Sequence, residues 1–209
     1  MSKSQLKYSI YLPQGYDEEK NKLWPLVFFL HGAGERGDDL EKPKVHGPLK
    51  LAAQGRQFPF IILAPLCPED SWWNNEIDKV IDLLDDIESN YNVDKSRIYL
   101  TGISMGGYGT WGLAARIPER LAAIAPICGG GNPANAPLIK DIPMWVFHGD
   151  ADPTVPLEKS QEMVDAVRSA GGSPKFTIYP SVEHDCWTAT YESDEFWKWL
   201  LGQRRSSGR

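Results

Sequence analysis

The segment Arg97-Ile98-Tyr99-Leu100-Thr101-Gly102-Ile103-Ser104-Met105-Gly106 decides how this chain is read. An apolar run ends in Gly102-Ile103-Ser104-Met105-Gly106, and a helix-like stretch, Met105 to Ala115, follows. A serine flanked by glycine two places on either side fits a tight strand-to-helix turn. The glycines leave room where side chains would collide. The serine backbone can take a strained conformation that holds its hydroxyl out of the sheet edge. The pentapeptide alone arises by chance in about one chain in fifteen of this length. Its weight comes from the strand before it and the helix after it.

Outward from that turn, apolar and β-branched runs alternate with helical segments. Tyr8 to Leu12, Leu26 to Leu30, Phe60 to Ala64, Arg97 to Gly102, Ala122 to Ile127, Met144 to His148 and Lys175 to Tyr179 read as strands. The middle runs are apolar on both alternating faces, as buried parallel strands are. Glu76 to Tyr91 reads as a helix with Ile77, Val80, Ile81, Leu84, Ile87 and Tyr91 in one stripe. Pro156 suits a first helical position, Gly171-Gly172 the end of that helix, and Ser193 the cap of a last one. The alternation predicts an α/β fold with a mostly parallel central sheet of about seven or eight strands and helices on both faces. No repeat or linker splits the chain. Residues 1–202 read as a single domain, and 203–209 as a polar, disordered tail.

Bulk properties exclude several classes. A formal net charge of −6 and the lack of a basic run argue against nucleic acid or anionic membrane as partner. The longest apolar run, Trp24 to Leu30, is too short to span a bilayer. Met1-Ser2-Lys3-Ser4 leads into polar sequence without a signal peptide, which fits a cytoplasmic protein or a secreted one whose signal has been removed. Cys67, Cys128 and Cys186 are widely spaced and odd in number, which reads as three buried thiols rather than a disulfide framework or zinc site. Oligomeric state is left open.

A serine hydroxyl needs a base in contact and a third group to orient that base. In the chain order serine, acid, histidine, only His148 and His184 follow Ser104 among the four histidines, and only His184 also follows a candidate acid. His148 ends a strand and reads as structural. His184 lies in a loop at the carboxyl end of the sheet, where ligands bind in this architecture. Asp150 and Asp152 both follow the strand ending at His148. Gly149-Asp150 looks like turn chemistry, which leaves Asp152 to point towards His184. The oxyanion needs two donors. Met105 N–H comes with the turn, and Ala33 N–H comes from the loop Leu30-His31-Gly32-Ala33-Gly34.

That loop also matches a dinucleotide pattern, Gly32-Ala33-Gly34-Glu35-Arg36-Gly37. The pattern demands a helix there and an acid about 20 residues later. Pro43, Gly47 and Pro48 read as helix breakers and residues 52–57 offer no acid, so no dinucleotide cofactor is expected. Glu35, Arg36 and Asp38 lie within reach of substrate, but read first as a local salt bridge that pins the loop.

Four motifs in order carry a family resemblance: Leu-His-Gly-Ala-Gly-Glu-Arg-Gly at 30–37, Gly-Ile-Ser-Met-Gly-Gly at 102–107, His-Gly-Asp-Ala-Asp-Pro-Thr-Val-Pro at 148–156 and His-Asp-Cys-Trp at 184–187. Over nearly its whole length the chain resembles α/β hydrolase esterases of the phospholipase/carboxylesterase and "predicted peptidase" type, related to feruloyl esterase and dienelactone hydrolase branches. The resemblance implies Ser104 as nucleophile, Asp152 as acid, His184 as base, and Ala33 and Met105 as oxyanion donors. It implies ester hydrolysis with no metal and no cofactor. Two departures stand out. Glu183 precedes His184 where relatives often have glycine, and Ser104 stands where dienelactone hydrolases use cysteine.

Nothing between Ile127 and Met144 is long enough for a large lid, so an open site for soluble short-acyl or aromatic esters is expected. Trp72, Trp73 and Trp187 are the candidates for its wall. The leading reading is a serine carboxylesterase. A peptidase or thioesterase on the same triad, and a non-catalytic binding module, are the alternatives.

Overall fold

The computed structural model describes residues 6–205. Seven strands form one sheet in the order β1-β3-β2-β4-β5-β6-β7. They are β1 (Tyr8–Tyr11), β2 (Trp24–Leu30), β3 (Ile61–Pro65), β4 (Val93–Ile103), β5 (Ala123–Ile127), β6 (Trp145–Gly149) and β7 (Lys175–Tyr179). Only the edge strand β1 is antiparallel, with Tyr8 opposite Pro65 and Tyr11 opposite Ile62. From β2 the chain turns to one side through β3, then returns to the other through β4, β5, β6 and β7. The switch falls between β2 and β4, where loops leave the sheet in opposite directions and open a crevice.

Register places the site. Leu30 pairs with Gly102, Ile103 with Ile127, Ile127 with Phe147, and Gly149 with Tyr179. The carboxyl ends of β2, β4, β5, β6 and β7 therefore line one sheet edge. The loops that follow them carry Ala33, Ser104, Cys128, Asp152 and His184.

The seven helices described are α1 (Gly47–Ala53), α2 (Trp73–Asn90), α3 (Met105–Arg116), α4 (Ala136–Ile139), α5 (Glu158–Ser169), α6 (Trp187–Glu192) and α7 (Asp194–Leu201). They cover both sheet faces. Strand β2 is wholly buried and feeds two cores by alternation. Leu26, Phe28 and Leu30 join Val80, Leu84 and Ile87 of α2 and Leu113 of α3. Val27 and Phe29 join Leu49 of α1 and Tyr191, Phe196, Trp197 and Leu200 of α6 and α7. Ser193 caps α7, its hydroxyl accepting from Phe196 N–H at 3.3 Å. Helix α2 starts at Trp73, three residues before the predicted start, and buries Leu83, which the predicted stripe omitted.

Two expectations fail. Residues 43–48 do not exclude a helix, because α1 begins at Gly47 with Pro48 in its first turn. A first-turn proline loses no intrahelical bond, since its N–H would be unpaired there anyway. The dinucleotide pattern still lacks its helix, because Ala33–Glu35 forms a single 3-10 turn. Gln203 to Arg205, expected to belong to a loose tail, are hydrogen-bonded to the sheet strand β4. Tyr99 Oη donates to the Gln203 carbonyl at 2.8 Å, and Arg205 N–H donates to the Ser96 carbonyl at 2.9 Å. Residues 206–209, the rest of that tail, lie outside the described residues, as does the Met1 to Ser4 segment.

Candidate active site

Ser104 sits between β4 and α3 with φ +53° and ψ −116°, a strained turn for a side-chain-bearing residue. Close packing makes that turn possible. A side chain at Gly106 would collide with the carbonyls of Leu30 and His31, and one at Gly102 with the backbone of Gly106. The Ser104 N–H is tied to the Ile127 carbonyl at 3.0 Å, so the turn is pinned to β5 and its hydroxyl faces the crevice.

His184 reaches that hydroxyl, with Nε2 2.9 Å from Ser104 Oγ. Its other nitrogen, Nδ1, is 2.6 Å from Asp152 Oδ2. The second carboxylate oxygen, Oδ1, accepts from Thr154 N–H at 2.8 Å and Val155 N–H at 2.9 Å. The Asp152 side chain is 0% exposed. Burial alone would raise its pKa. The hydrogen bonds from His184 and the Val155 and Thr154 amides outweigh burial and hold the carboxyl below its ordinary value. Asp150 is elsewhere employed, accepting from Ser181 N–H at 2.6 Å in the loop before His184.

His148, expected to be structural, is fully buried and also meets Asp152. Its Nε2 is 3.2 Å from Asp152 Oδ2 and 2.9 Å from the Val155 carbonyl. Two acceptors at one nitrogen require that nitrogen to carry the proton. Nδ1 meets Ser160 Oγ at 2.7 Å. No local sequence pattern reveals this contact, because β6 and the turn after it create it.

The loop after β2 is fixed by His31, which has no expected role, and by Arg36. His31 bridges strand ends: Nδ1 donates to the Gly32 carbonyl at 2.7 Å and Nε2 accepts from Cys67 N–H at 3.0 Å. Burial pushes its pKa down to about 4, against the raising effect of the Gly32 bond, so the ring is neutral. Arg36 donates to the carbonyls of Ala33 at 3.0 Å and Ser71 at 3.2 Å. The expected Glu35–Arg36 salt bridge is absent among the described residues. Arg36 pins the loop through backbone instead, and Glu35 faces His46, 3.8 Å from Nε2. Asp38 offers its carbonyl to Lys7 Nζ at 3.2 Å, on the outer side of the loop.

These elements enclose a cleft of about 230 Å³ lined by Ala33, Glu35, His46, Ser104, His184 and Trp187, among others. Of the three candidate tryptophans, Trp187 stands in this wall, edge-on to His184 with ring centroids 5.2 Å apart. Trp73 is a core residue, its Nε1 donating to the His31 carbonyl at 2.9 Å. Trp72 is exposed beneath the Arg36 guanidinium, outside the cleft lining. A larger hollow of about 520 Å³ flanks α2 and α3 and includes none of Ser104, Asp152 or His184.

Cys67, Cys128 and Cys186 are free and buried. Burial, then Glu76, pushes the Cys67 thiol up to about 12. Burial also raises Cys128, whose sulfur neighbours Asp152 and His184. Those two residues are already committed to each other, so the trio makes a poor metal cage. No described helix is long and apolar enough to cross a membrane.

Residues 69–195, more than half of the chain, match the dienelactone hydrolase family. The chain belongs to that family. A solved thermostable esterase is 36% identical and superposes with a TM-score of 0.84, over 95% of this chain and 59% of that one. A probable feruloyl esterase C of Aspergillus terreus is 28% identical over 76% of this chain and 59% of its own length. A bifunctional acetylxylan esterase/xylanase of Neocallimastix patriciarum is 25% identical over 77% of this chain and 24% of its own. The chain thus spans well under two thirds of these relatives. Its sheet and helices form the α/β hydrolase fold of this family and its esterase neighbours.

Proposed function

We propose that this dienelactone hydrolase family member is a serine carboxylesterase that cleaves short-chain or aromatic carboxylic esters through an acyl-enzyme. The observation that carries the reading is the unbroken chain of contacts from Ser104 Oγ to His184 at 2.9 Å and on to Asp152 at 2.6 Å. Ser104 Oγ attacks the ester carbonyl carbon while His184 Nε2 takes its proton. The carbonyl oxygen becomes an oxyanion, met by the N–H groups of Ala33 and Met105. Met105 opens α3, whose first amides have no intrahelical acceptor and whose dipole favours negative charge there. The intermediate collapses, and His184 returns the proton to the departing alcohol. Water then attacks the acyl-Ser104 carbonyl, giving its proton to His184, and collapse frees the acid and restores the serine hydroxyl. Asp152 keeps the His184 tautomer and stabilises the imidazolium between steps.

Serine rather than cysteine at the turn supports ester hydrolysis over the thiol chemistry of dienelactone cleavage. The small cleft, with Trp187 as one wall, suits short acyl chains or a single ring. The test is turnover of p-nitrophenyl acetate and butyrate by wild type and Ser104→Ala. A loss of about 10⁴-fold or more in kcat is expected. Full turnover by the variant would overturn the reading.

A further inference from the structure

Opposite the triad, the cleft wall holds a second acid and imidazole that the mechanism above does not use. The Glu35 side chain is 12% exposed, and no described donor hydrogen-bonds its carboxylate. Its nearest polar neighbour is His46 Nε2, 3.8 Å from Oε1, too far for a direct hydrogen bond. Oε2 lies against Gly32, about where a Cβ there would stand off by only 3.0 Å. Both carboxylate oxygens keep some contact with solvent, so Glu35 offers the cleft an acceptor that no described donor occupies. A negative charge beside the oxyanion loop also opposes the charge that forms during the reaction. That opposition falls when a ligand brings a hydrogen-bond donor to Glu35.

His46 restricts what that ligand is. Its Nδ1 is buried without a partner, and its ring packs edge-on to Trp187 at 5.3 Å. The neighbouring carboxylate favours the tautomer with the proton on Nε2, facing Glu35. One atom placed between the two, about 2.8 Å from each, must donate to Glu35 and accept from His46. A hydroxyl does both. An ammonium has no lone pair for His46, and a carbonyl or ether has no proton for Glu35.

We infer that Glu35 and His46 form a hydroxyl-recognition subsite in the catalytic cleft, selecting esters that carry a free hydroxyl near the scissile bond. This rests on the esterase reading above and names a substrate feature for it. Whether the hydroxyl sits on the acyl or the alcohol side is decided by the substrates used.

The experiment compares kcat/KM within matched pairs: ethyl butyrate against ethyl 2- and 3-hydroxybutyrate, and propyl acetate against 1-acetylglycerol. For wild type, at least one hydroxylated member is preferred by about tenfold or more. In Glu35→Leu and in His46→Phe, which keeps the ring against Trp187, that ratio falls towards one. The ratio is taken within each variant, so altered overall activity does not disturb it. Glu35→Gln serves where the leucine variant folds poorly. It keeps one acceptor without the charge, and a severalfold fall in the ratio is expected. Equal rates across every pair, with p-nitrophenyl acetate still hydrolysed, overturn the subsite and leave the esterase standing. A preference that survives both Glu35→Leu and His46→Phe also overturns it. No ester turnover at all by wild type overturns both readings.

Discussion

Two carboxylates flank the chemistry at Ser104, Glu35 in the cleft wall and Asp152 behind His184, and the protein treats them in opposite ways. Asp152 is sealed from solvent and has a donor at each oxygen: the Thr154 and Val155 amides on Oδ1 and His184 on Oδ2. Glu35 is part-buried, its side chain 12% exposed, and receives no hydrogen bond from any described residue. The difference separates two jobs. A carboxylate whose partners are built in holds a neighbour in place. A carboxylate left unsatisfied at a cleft wall is stabilised only by what enters the cleft.

Breaking the satisfied side gives the largest effect. Asp152→Asn leaves the shape but removes the charge and permits the wrong His184 tautomer. A fall of about 10⁴-fold in kcat is expected, with KM little changed, in steady-state assays on p-nitrophenyl butyrate. His148→Phe removes the imidazole N–H that sits 3.2 Å from Oδ2 and bonds the Val155 carbonyl, while filling most of the ring's volume. About a 10- to 100-fold loss in kcat is expected, with Ser104 still reactive towards a fluorophosphonate. An unaltered kcat would reduce His148 to a packing residue.

Acid attacks the same side through stability. Because the folded carboxyl of Asp152 lies below its unfolded value, its contribution is present above an unfolded pKa of about 3.9 and is lost as pH falls through the folded one. Urea midpoints should hold steady between pH 7 and 5 and drop below pH 4. In Asp152→Asn the drop should be shallower.

The smallest effect comes from the unsatisfied side and has the opposite sign. Glu35→Gln removes a part-buried charge that no described donor hydrogen-bonds, so the free protein should become more stable by up to about 1 kcal/mol. For a domain of this size that raises Tm by roughly 2–4 °C. A lower Tm would mean that Glu35 has a structural partner after all, and the contrast with Asp152 would dissolve.

Much of this arrangement is legible in the chain. Buried parallel strands announce themselves as short apolar runs, and the runs at 26–30 and 97–102 lie in β2 and β4. Ser104, Asp152 and His184 follow one another in an order that filters four histidines to one, and the structure brings the three into contact. What stays hidden depends on contacts distant in sequence. Pro48 reads as a helix breaker until its place in a first turn is known. Gln203 reads as loose tail until Tyr99 and Ser96 meet it. Glu35 beside Arg36 looks like a salt bridge, yet Arg36 is drawn off to the Ala33 and Ser71 carbonyls. His148 looks like a strand-end residue until the turn after β6 folds Asp152 back onto its ring. Local pattern singles out Ser104, Asp152 and His184; only packing reveals which neighbours they keep.

Covalent capture tests most directly whether Ser104 is an activated nucleophile. Incubation with a fluorophosphonate, digestion and peptide mass spectrometry should place one adduct on Ser104. The adduct should form far more slowly in Asp152→Asn and be absent in Ser104→Ala. A folded wild-type protein that takes up no label at Ser104, or that is labelled equally well after Ser104→Ala, would contradict the account.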